Sequence, residues 1–213
     1  MFFNYRLKNF IKFFLLKWLI IYKNDKSSGV VLTFDDGPDE IITPLILKIL
    51  EENNAQAIFF VLGRKAERYP ELVKLIVKNG HIVGNHTHTH ISAYSTNYCQ
   101  YLNEIQSCQQ TIYNITGEYP RYFRPPNGSL SLSALLAIKR SNLKNVLWSV
   151  ESGEYGVWAK DTPEMIHNRL FSVLSNQDVL LMHDNSEKVP LVLETLVPAL
   201  STKGVIFAKA GEL

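Results

Sequence analysis

The chain has 213 residues, of which 46% are hydrophobic and 20% are charged, and its net charge is +2. This length fits one domain with a substantial core, and the composition excludes an intrinsically disordered protein. The small net charge argues against a nucleic-acid-binding protein, so we expect no nucleic-acid partner.

The first 27 residues differ in composition from the rest of the chain. Their apolar runs are too short to span a bilayer, Lys17 interrupts them, and no small-residue cleavage site follows. We therefore predict that residues 1–27 form a basic, amphipathic helix that lies on an anionic membrane surface, which favours a membrane-associated protein. A signal anchor is one alternative. A terminal helix packed against the domain, with a cytoplasmic location, is another.

From residue 28 onwards, short β-rich runs alternate with amphipathic helical patterns. The predicted strands cover residues 30–34, 57–62, 81–84, 121–124, 145–150, 178–183 and 204–209. Strict alternation implies a parallel sheet covered by helices. We predict one α/β domain at residues 28–213 with an irregular (β/α)7-type barrel. An open doubly wound sheet is disfavoured because no glycine-rich phosphate loop follows the first strand.

Unusual polar residues follow the strands at one end only. They are Asp35 and Asp36, His86, His88 and His90, Arg124, Glu151 and Glu154, and His183 with Asp184. In a β/α barrel, the rim at the carboxyl ends of the strands is where active sites are built. The sequence therefore predicts an active site at this rim.

The segment GNHTHTH suggests a metal site. His86 and His90 are four residues apart, so on one helical turn they would share a face and bind one ion, whereas His88 would point elsewhere. Two imidazoles and one carboxylate leave room for water, which is the usual pattern of catalytic zinc. A polar loop with solvated histidines is the alternative interpretation.

Two adjacent carboxylates at the end of an apolar strand would repel each other and are expensive to bury. We expect a metal ion to neutralise one of Asp35 and Asp36 and Arg124 to neutralise the other, which leaves one carboxylate free as a general base. A helix cap and a turn residue before Gly37-Pro38 are the alternative. His183 ends another apolar strand, where it could protonate a leaving group. Asp184 would orient the His183 ring or, as we favour, cap the next helix.

Four segments then occur together in order: TFDDGP (33–38), HTHTH (86–90), FRPPNG (123–128) and LLMHD (180–184). On these segments, the chain from Val30 to the C-terminus resembles the polysaccharide deacetylase family, the fourth family of carbohydrate esterases. The resemblance implies an irregular (β/α) barrel and the metal-dependent removal of N-acetyl groups from amino sugars.

The resemblance also assigns roles to residues. It makes Asp35 the base, Arg124 its positioning partner and His183 the acid. The ligands of a divalent ion, usually Zn²⁺ but also Co²⁺ or another ion, would be Asp36, His86 and His90. Three further residues complete the assignment: Thr87 would support the metal site, the backbone N–H of Asn127 would stabilise the oxyanion, and Leu181 would line the pocket for the acetyl methyl group.

The segment WSVESGEY departs from the family pattern, which has an Asp-containing run that ends in Asp-Trp. Glu154 would have to tune His183 with one extra methylene, and we place Tyr155 among the substrate-binding residues. Asn127 also stands where the family usually has an aromatic or small residue.

The predicted function is the deacetylation of peptidoglycan, an exopolysaccharide, a chito-oligosaccharide or a lipid-linked sugar by a monomeric enzyme. The alternatives are a catalytically weak homologue that binds metal and glycan, and a deformylase of a lipid-linked amino sugar.

Overall fold

The computed structural model describes residues 20–24, 29–209, 211 and 213. Its strands form a single parallel sheet in the order β1-β6-β5-β4-β3-β2-β8-β7. These strands are β1 (Ile20–Ile21), β2 (Val31–Asp35), β3 (Ala57–Val61), β4 (Ile82–Asn85), β5 (Tyr122–Phe123), β6 (Lys144–Val146), β7 (Val150–Glu151) and β8 (Val179–His183).

Helices connect the strands and cover the outside of the sheet. In the described part of the chain they are α1 (Ile42–Glu52), α2 (Gly63–Arg68), α3 (Pro70–Lys78), α4 (Tyr98–Thr116), α5 (Leu132–Arg140), α6 (Pro163–Val173) and α7 (Lys188–Thr202). The largest hydrophobic cluster joins outward-facing strand residues such as Leu32, Phe34 and Leu180 to the apolar faces of these helices, for example at Leu193. Burial of this apolar surface holds the helices against the sheet.

The inner face of the sheet is stacked in layers. Adjacent positions of β2 and β8 pair Val31 with Val179 and, two residues further on, Thr33 with Leu181. Side chains two residues apart point to the same face of a strand. The layer formed by Val31 and Val179 therefore lies directly below the layer formed by Thr33 and Leu181. Val31 and Val179 also pack with Phe60 in a second hydrophobic cluster, separate from the outer one. The predicted irregular β/α barrel is confirmed.

Two of the predicted strands differ from the structure. Residues 145–150 form parts of two strands, because the chain changes partners: the Leu147 N–H donates to the Ile21 carbonyl (2.8 Å), whereas the Ser149 N–H donates to the Val179 carbonyl (3.1 Å). The predicted strand at 204–209 is wrong, since only a single bridge between Val30 and Phe207 forms there.

Most of the predicted N-terminal helix lies outside the described residues. At Ile20 and Ile21 the helix prediction is wrong, because these residues form β1 and pair with Asn145 and Val146 of β6. The proposed boundary between residues 27 and 28 stays a prediction. Within the described residues, no helix is both long enough and apolar enough to cross a bilayer.

Candidate active site

The polar residues singled out from the sequence gather at the carboxyl ends of four strands. Asp35 ends β2 and His183 ends β8, and the two residues lie side by side in the sheet. His86 directly follows β4 and Arg124 directly follows β5. The rim of the barrel therefore brings together residues that are up to 148 positions apart in the chain.

Asp36, His86 and His90 form a cluster in which one ligand atom from each residue lies within 4.8 Å of the others. The Oδ1 atom of Asp36 is 3.2 Å from Nε2 of His90 and 3.5 Å from Nε2 of His86. This Oδ1 is buried, yet it accepts no hydrogen bond from the described residues. A buried carboxylate oxygen between two imidazole nitrogens fits a divalent ion such as zinc.

A hydrogen bond fixes the orientation of the His86 ring. Its Nδ1 lies 2.7 Å from the carbonyl oxygen of Arg124, so Nδ1 carries the proton and donates to that carbonyl. The Nε2 atom is then the acceptor nitrogen that faces Asp36. Such outer hydrogen bonds orient the histidine ligands of metal sites.

The two histidines are close together for a different reason from the one predicted. Residues 86–90 form a loop rather than a helical turn. Thr87 and His90 have φ angles of 67° and 65°, and the His90 N–H donates to the Thr87 hydroxyl oxygen at 3.1 Å. The predicted supporting position of Thr87 corresponds to this contact, which tightens the loop. His88 lies away from the cluster, with Nε2 3.8 Å from Oε2 of Glu67.

Arg124 holds the second carboxylate of the pair. Its Nη1 donates to Oδ1 of Asp35 and to the hydroxyl oxygen of Thr33, each at 2.8 Å. Its Nε and Nη2 donate to the carbonyl oxygens of Val146 and Leu147, each at 3.0 Å. These bonds leave Oδ2 of Asp35 directed towards His86, 3.7 Å from Nε2. The structure thus separates an arginine-bound carboxylate, Asp35, from the carboxylate beside the histidines.

Glu154 reaches His183 despite its additional methylene. Oε1 of Glu154 accepts a hydrogen bond from Nδ1 of His183 at 2.9 Å and another from the His183 backbone N–H at 2.7 Å. Ser152 also donates a hydrogen bond to the Glu154 carboxylate. Burial alone would raise the pKa of Glu154, but its hydrogen bond to His183 and the charge of His183 outweigh burial and lower it. Glu154 is therefore a charged partner that fixes the imidazole ring.

The three predicted substrate-binding residues lie on three different segments of the chain. The Tyr155 ring packs edge-on against His183, with ring centroids 5.0 Å apart, and its hydroxyl bonds to Asn185. Leu181 lies on β8 two residues before His183 and is almost buried. Asn127 is exposed on the loop after β5, with a φ angle of 56°. Their roles towards a substrate stay predictions.

Asp184 performs neither of the functions considered for it. It does not cap α7, which has no side-chain cap, and its carboxylate instead accepts a hydrogen bond from the Thr43 hydroxyl at the start of α1 (2.9 Å). The carboxylate packs directly against Gly37, beneath the turn that follows β2. The sequence alone showed only that Asp184 is a carboxylate after a buried strand, which does not predict its contacts with Thr43 and Gly37.

A barrel mouth that combines two histidines and one carboxylate with a second carboxylate and a further histidine is typical of metal-dependent hydrolases. The sequence model of the polysaccharide deacetylase family matches residues 22–146. Because this match covers more than half of the chain, the chain belongs to that family.

Relatives named as deacetylases support the same family. The chain is 34% identical over 182 residues to a peptidoglycan-N-acetylglucosamine deacetylase of Bacillus cereus, and the match covers 84% of the chain and 65% of that relative. It is 32% identical over 158 residues to a chitooligosaccharide deacetylase of Azorhizobium caulinodans, with 74% of each covered. The chain thus spans about two thirds to three quarters of the length of these relatives.

Solved structures share the fold. The crystal structure of a peptidoglycan N-acetylglucosamine deacetylase superposes with a TM-score of 0.83 at 31% identity, covering 89% of this chain and 90% of that chain. A family 4 carbohydrate esterase from Streptomyces lividans superposes with a TM-score of 0.80 at 31% identity, covering 87% and 94%.

Proposed function

We propose that the chain is a metal-dependent hydrolase that removes N-acetyl groups from the amino sugars of a glycan. The observation that carries this proposal is the position of Asp35, an arginine-bound carboxylate, immediately beside the Asp36–His86–His90 cluster. The family and the names of the relatives support the same activity. A protein that only bound glycan would have no need for this base or for His183 across the mouth.

The proposed metal is zinc, held by Asp36, His86 and His90. When bound, zinc polarises a carbonyl group and makes water more acidic. Asp35 accepts the proton of the attacking water at Oδ2, because Arg124 occupies its Oδ1. The hydrogen bond from Arg124 fixes the position of the Asp35 carboxylate beside the cluster.

On the other side of the mouth, His183 protonates the departing amine nitrogen, and acetate and a free amino sugar leave. Glu154 holds Nδ1 of His183, so Nε2 is the nitrogen that faces the substrate. The backbone N–H of Asn127 donates to the oxyanion that forms on the amide oxygen. Leu181 lines the pocket for the acetyl methyl group, and Tyr155 contacts the sugar.

The proposed substrate is peptidoglycan, since the relatives named peptidoglycan deacetylases share up to 34% identity with this chain. The decisive experiment measures acetate release by the full chain from peptidoglycan and from N-acetylglucosamine oligomers. The protein is first stripped of metal and then supplied with zinc, and the D35N variant is measured beside it.

Zinc-dependent release that D35N reduces by about 10²- to 10⁴-fold supports the proposal, because that is the usual contribution of a general base. Zinc binding without acetate release from either glycan would overturn it in favour of a glycan-binding homologue. Formate release from an N-formylated sugar in place of acetate release would identify a deformylase.

We further propose that the basic, apolar residues 1–19, which precede β1, attach the protein peripherally to an anionic membrane. Sedimentation with vesicles tests this. Binding to anionic but not to neutral vesicles, lost when Lys8, Lys12 and Lys17 are replaced by Glu, is the expected result. Equal binding to both kinds of vesicle would contradict an electrostatic attachment.

A further inference from the structure

We propose that Asp184 is a positioning residue for the metal ligand Asp36, acting through the turn that carries it. This inference rests on the metal centre of the proposed function. It assigns a role to a buried carboxylate that the catalytic steps do not use.

Asp36 is held by its backbone rather than by its side chain. Its Oδ1 accepts no hydrogen bond from the described residues, and its φ angle of 72° lies in the left-handed region, which residues with a side chain rarely adopt. The direction of the carboxylate therefore depends on how firmly residues 35–38 are held. A ligand that moves by a fraction of an ångström weakens a metal site, so this turn must be rigid.

Contacts from both neighbouring strands hold the turn. The Leu62 N–H, just after β3, donates to the Gly37 carbonyl at 3.0 Å. The Asp184 N–H, just after β8, donates to the Asp35 carbonyl at 3.1 Å. The Asp184 carboxylate then fills the space beneath Gly37, where a Cβ atom would lie only 1.9 Å from Oδ2 and 2.2 Å from Oδ1. Gly37 is thus required by this carboxylate.

The carboxylate is itself fixed by a chain of hydrogen bonds. The Thr43 hydroxyl donates to Oδ2 of Asp184 at 2.9 Å and accepts from the Asp39 N–H at 2.8 Å. This chain ties the end of β8 to the segment that leaves the turn and enters α1. Both ends of the turn are therefore anchored to one buried group.

The Asp184 carboxyl group is buried although its burial is energetically unfavourable. The side chain is completely buried, and Oδ1 has no hydrogen-bond partner among the described residues. Burial of an incompletely bonded carboxyl group destabilises a fold. A carboxyl group in such a place indicates a function, and its contacts point to the turn of Asp36.

The test is the zinc affinity of the full chain, measured by competition with a chromophoric chelator. D184A is expected to weaken zinc binding by about 10- to 100-fold, as changes behind metal ligands typically do. D184N, which keeps the shape and the acceptor for Thr43, should stay within about threefold of the wild type. E187A changes an exposed glutamate three residues further on and should leave the affinity unchanged.

A double-mutant cycle tests the contact with Gly37 itself. G37A should weaken zinc binding strongly in the wild type but only slightly in D184A, because the smaller side chain leaves room for the new methyl group. Thermal unfolding of each metal-free variant identifies any that fail to fold. Wild-type zinc affinity in a folded D184A, equal losses in D184A and D184N, or an equal effect of G37A in both backgrounds would each overturn the proposal.

Zinc affinity needs no glycan, so this result is independent of the proposed activity. A chain that binds zinc as predicted but releases no acetate would refute the deacetylase and leave the role of Asp184 intact.

Discussion

The guanidinium of Arg124 donates a hydrogen bond to Oδ1 of Asp35 at 2.8 Å, and the Arg124 side chain is completely buried. Phe60 lies against the guanidinium, whose centre is 4.3 Å from the centroid of the ring. A buried charge of this kind is tolerated only when it is paired and its donors are satisfied. The arrangement gives the Asp35 carboxylate one fixed orientation.

Replacing Arg124 with lysine should reduce both stability and activity. Lysine keeps the charge but cannot supply donors to Asp35, Val146 and Leu147 in the same geometry. We expect the free energy of unfolding to fall by about 2–4 kcal/mol, because at least one buried carbonyl loses its donor. Urea unfolding measures this change. The exposed Arg64 provides the control, since R64K should change stability by less than about 0.5 kcal/mol. Equal effects of the two substitutions would contradict the buried network.

Replacing Glu154 with glutamine should change the pH dependence of catalysis. Burial alone would lower the pKa of His183, but the hydrogen bond to Glu154 and the charge of Asp35 outweigh burial and raise it. A general acid must be protonated, so a raised pKa extends activity to higher pH. In E154Q the alkaline limb of the kcat profile should move to lower pH, with kcat at pH 8 reduced about tenfold.

The exposed Glu151 offers a matched control for this measurement, because it lies three residues before Glu154 on the same segment. E151Q should leave the kcat profile unchanged. An E154Q profile that is lower at every pH but has the same alkaline limb would show that Glu154 does not tune His183.

The loop of three histidines contains its own control for metal binding. H90A removes a nitrogen that lies 3.2 Å from Asp36, and it should weaken zinc binding by at least about 100-fold. H88A removes a ring that instead faces Glu67, and it should leave zinc affinity within about threefold of the wild type. Chelator competition measures both variants. A similar loss of affinity in both would mean that His88 takes part in the metal site.

Asp184 should make the stability of the metal-free protein depend on pH. Burial raises its pKa from 3.8 to about 7 in the folded protein. Because the folded pKa lies above the unfolded one, this group contributes stability at low pH that is lost as the pH rises from about 4 to about 7. D184N cannot titrate. From pH 5 to pH 7, the wild type should therefore lose about 2 kcal/mol relative to D184N. Urea unfolding at several pH values measures the difference, and parallel curves for the two proteins would contradict the raised pKa.

The sequence allowed the prediction of most site residues because each lies in a short segment at the end of a strand. Asp35 and Arg124 could be paired from the need to neutralise two adjacent carboxylates, and the structure places them in contact. The proximity of His86 and His90 was also predicted, but from a helical spacing that the loop does not have. The left-handed backbone conformation of Thr87 and His90 brings the two histidines together. Residue types alone do not reveal such a conformation.

Other features depend on tertiary contacts that no local pattern encodes. The split of residues 145–150 into β6 and β7 follows from the pairing of Leu147 with β1 and of Ser149 with the start of β8. The failure of the strand at 204–209 has a similar origin, since apolar residues there find only one pairing partner. The contact between Asp184 and Gly37 joins residues 147 positions apart, so the role of Asp184 could not be read from its neighbours in sequence.

The layered interior of the barrel also limits how a polymer can approach. Val31 and Val179 belong to an apolar cluster on the inner face of the sheet, two residues below the level of Thr33 and Leu181. Under the proposed function, a glycan strand would lie across the open face of this packed barrel, with one sugar lowered towards Asp35. Recognition of this kind needs no free chain end. Sugars in the middle of a long strand would then reach the site as readily as terminal ones.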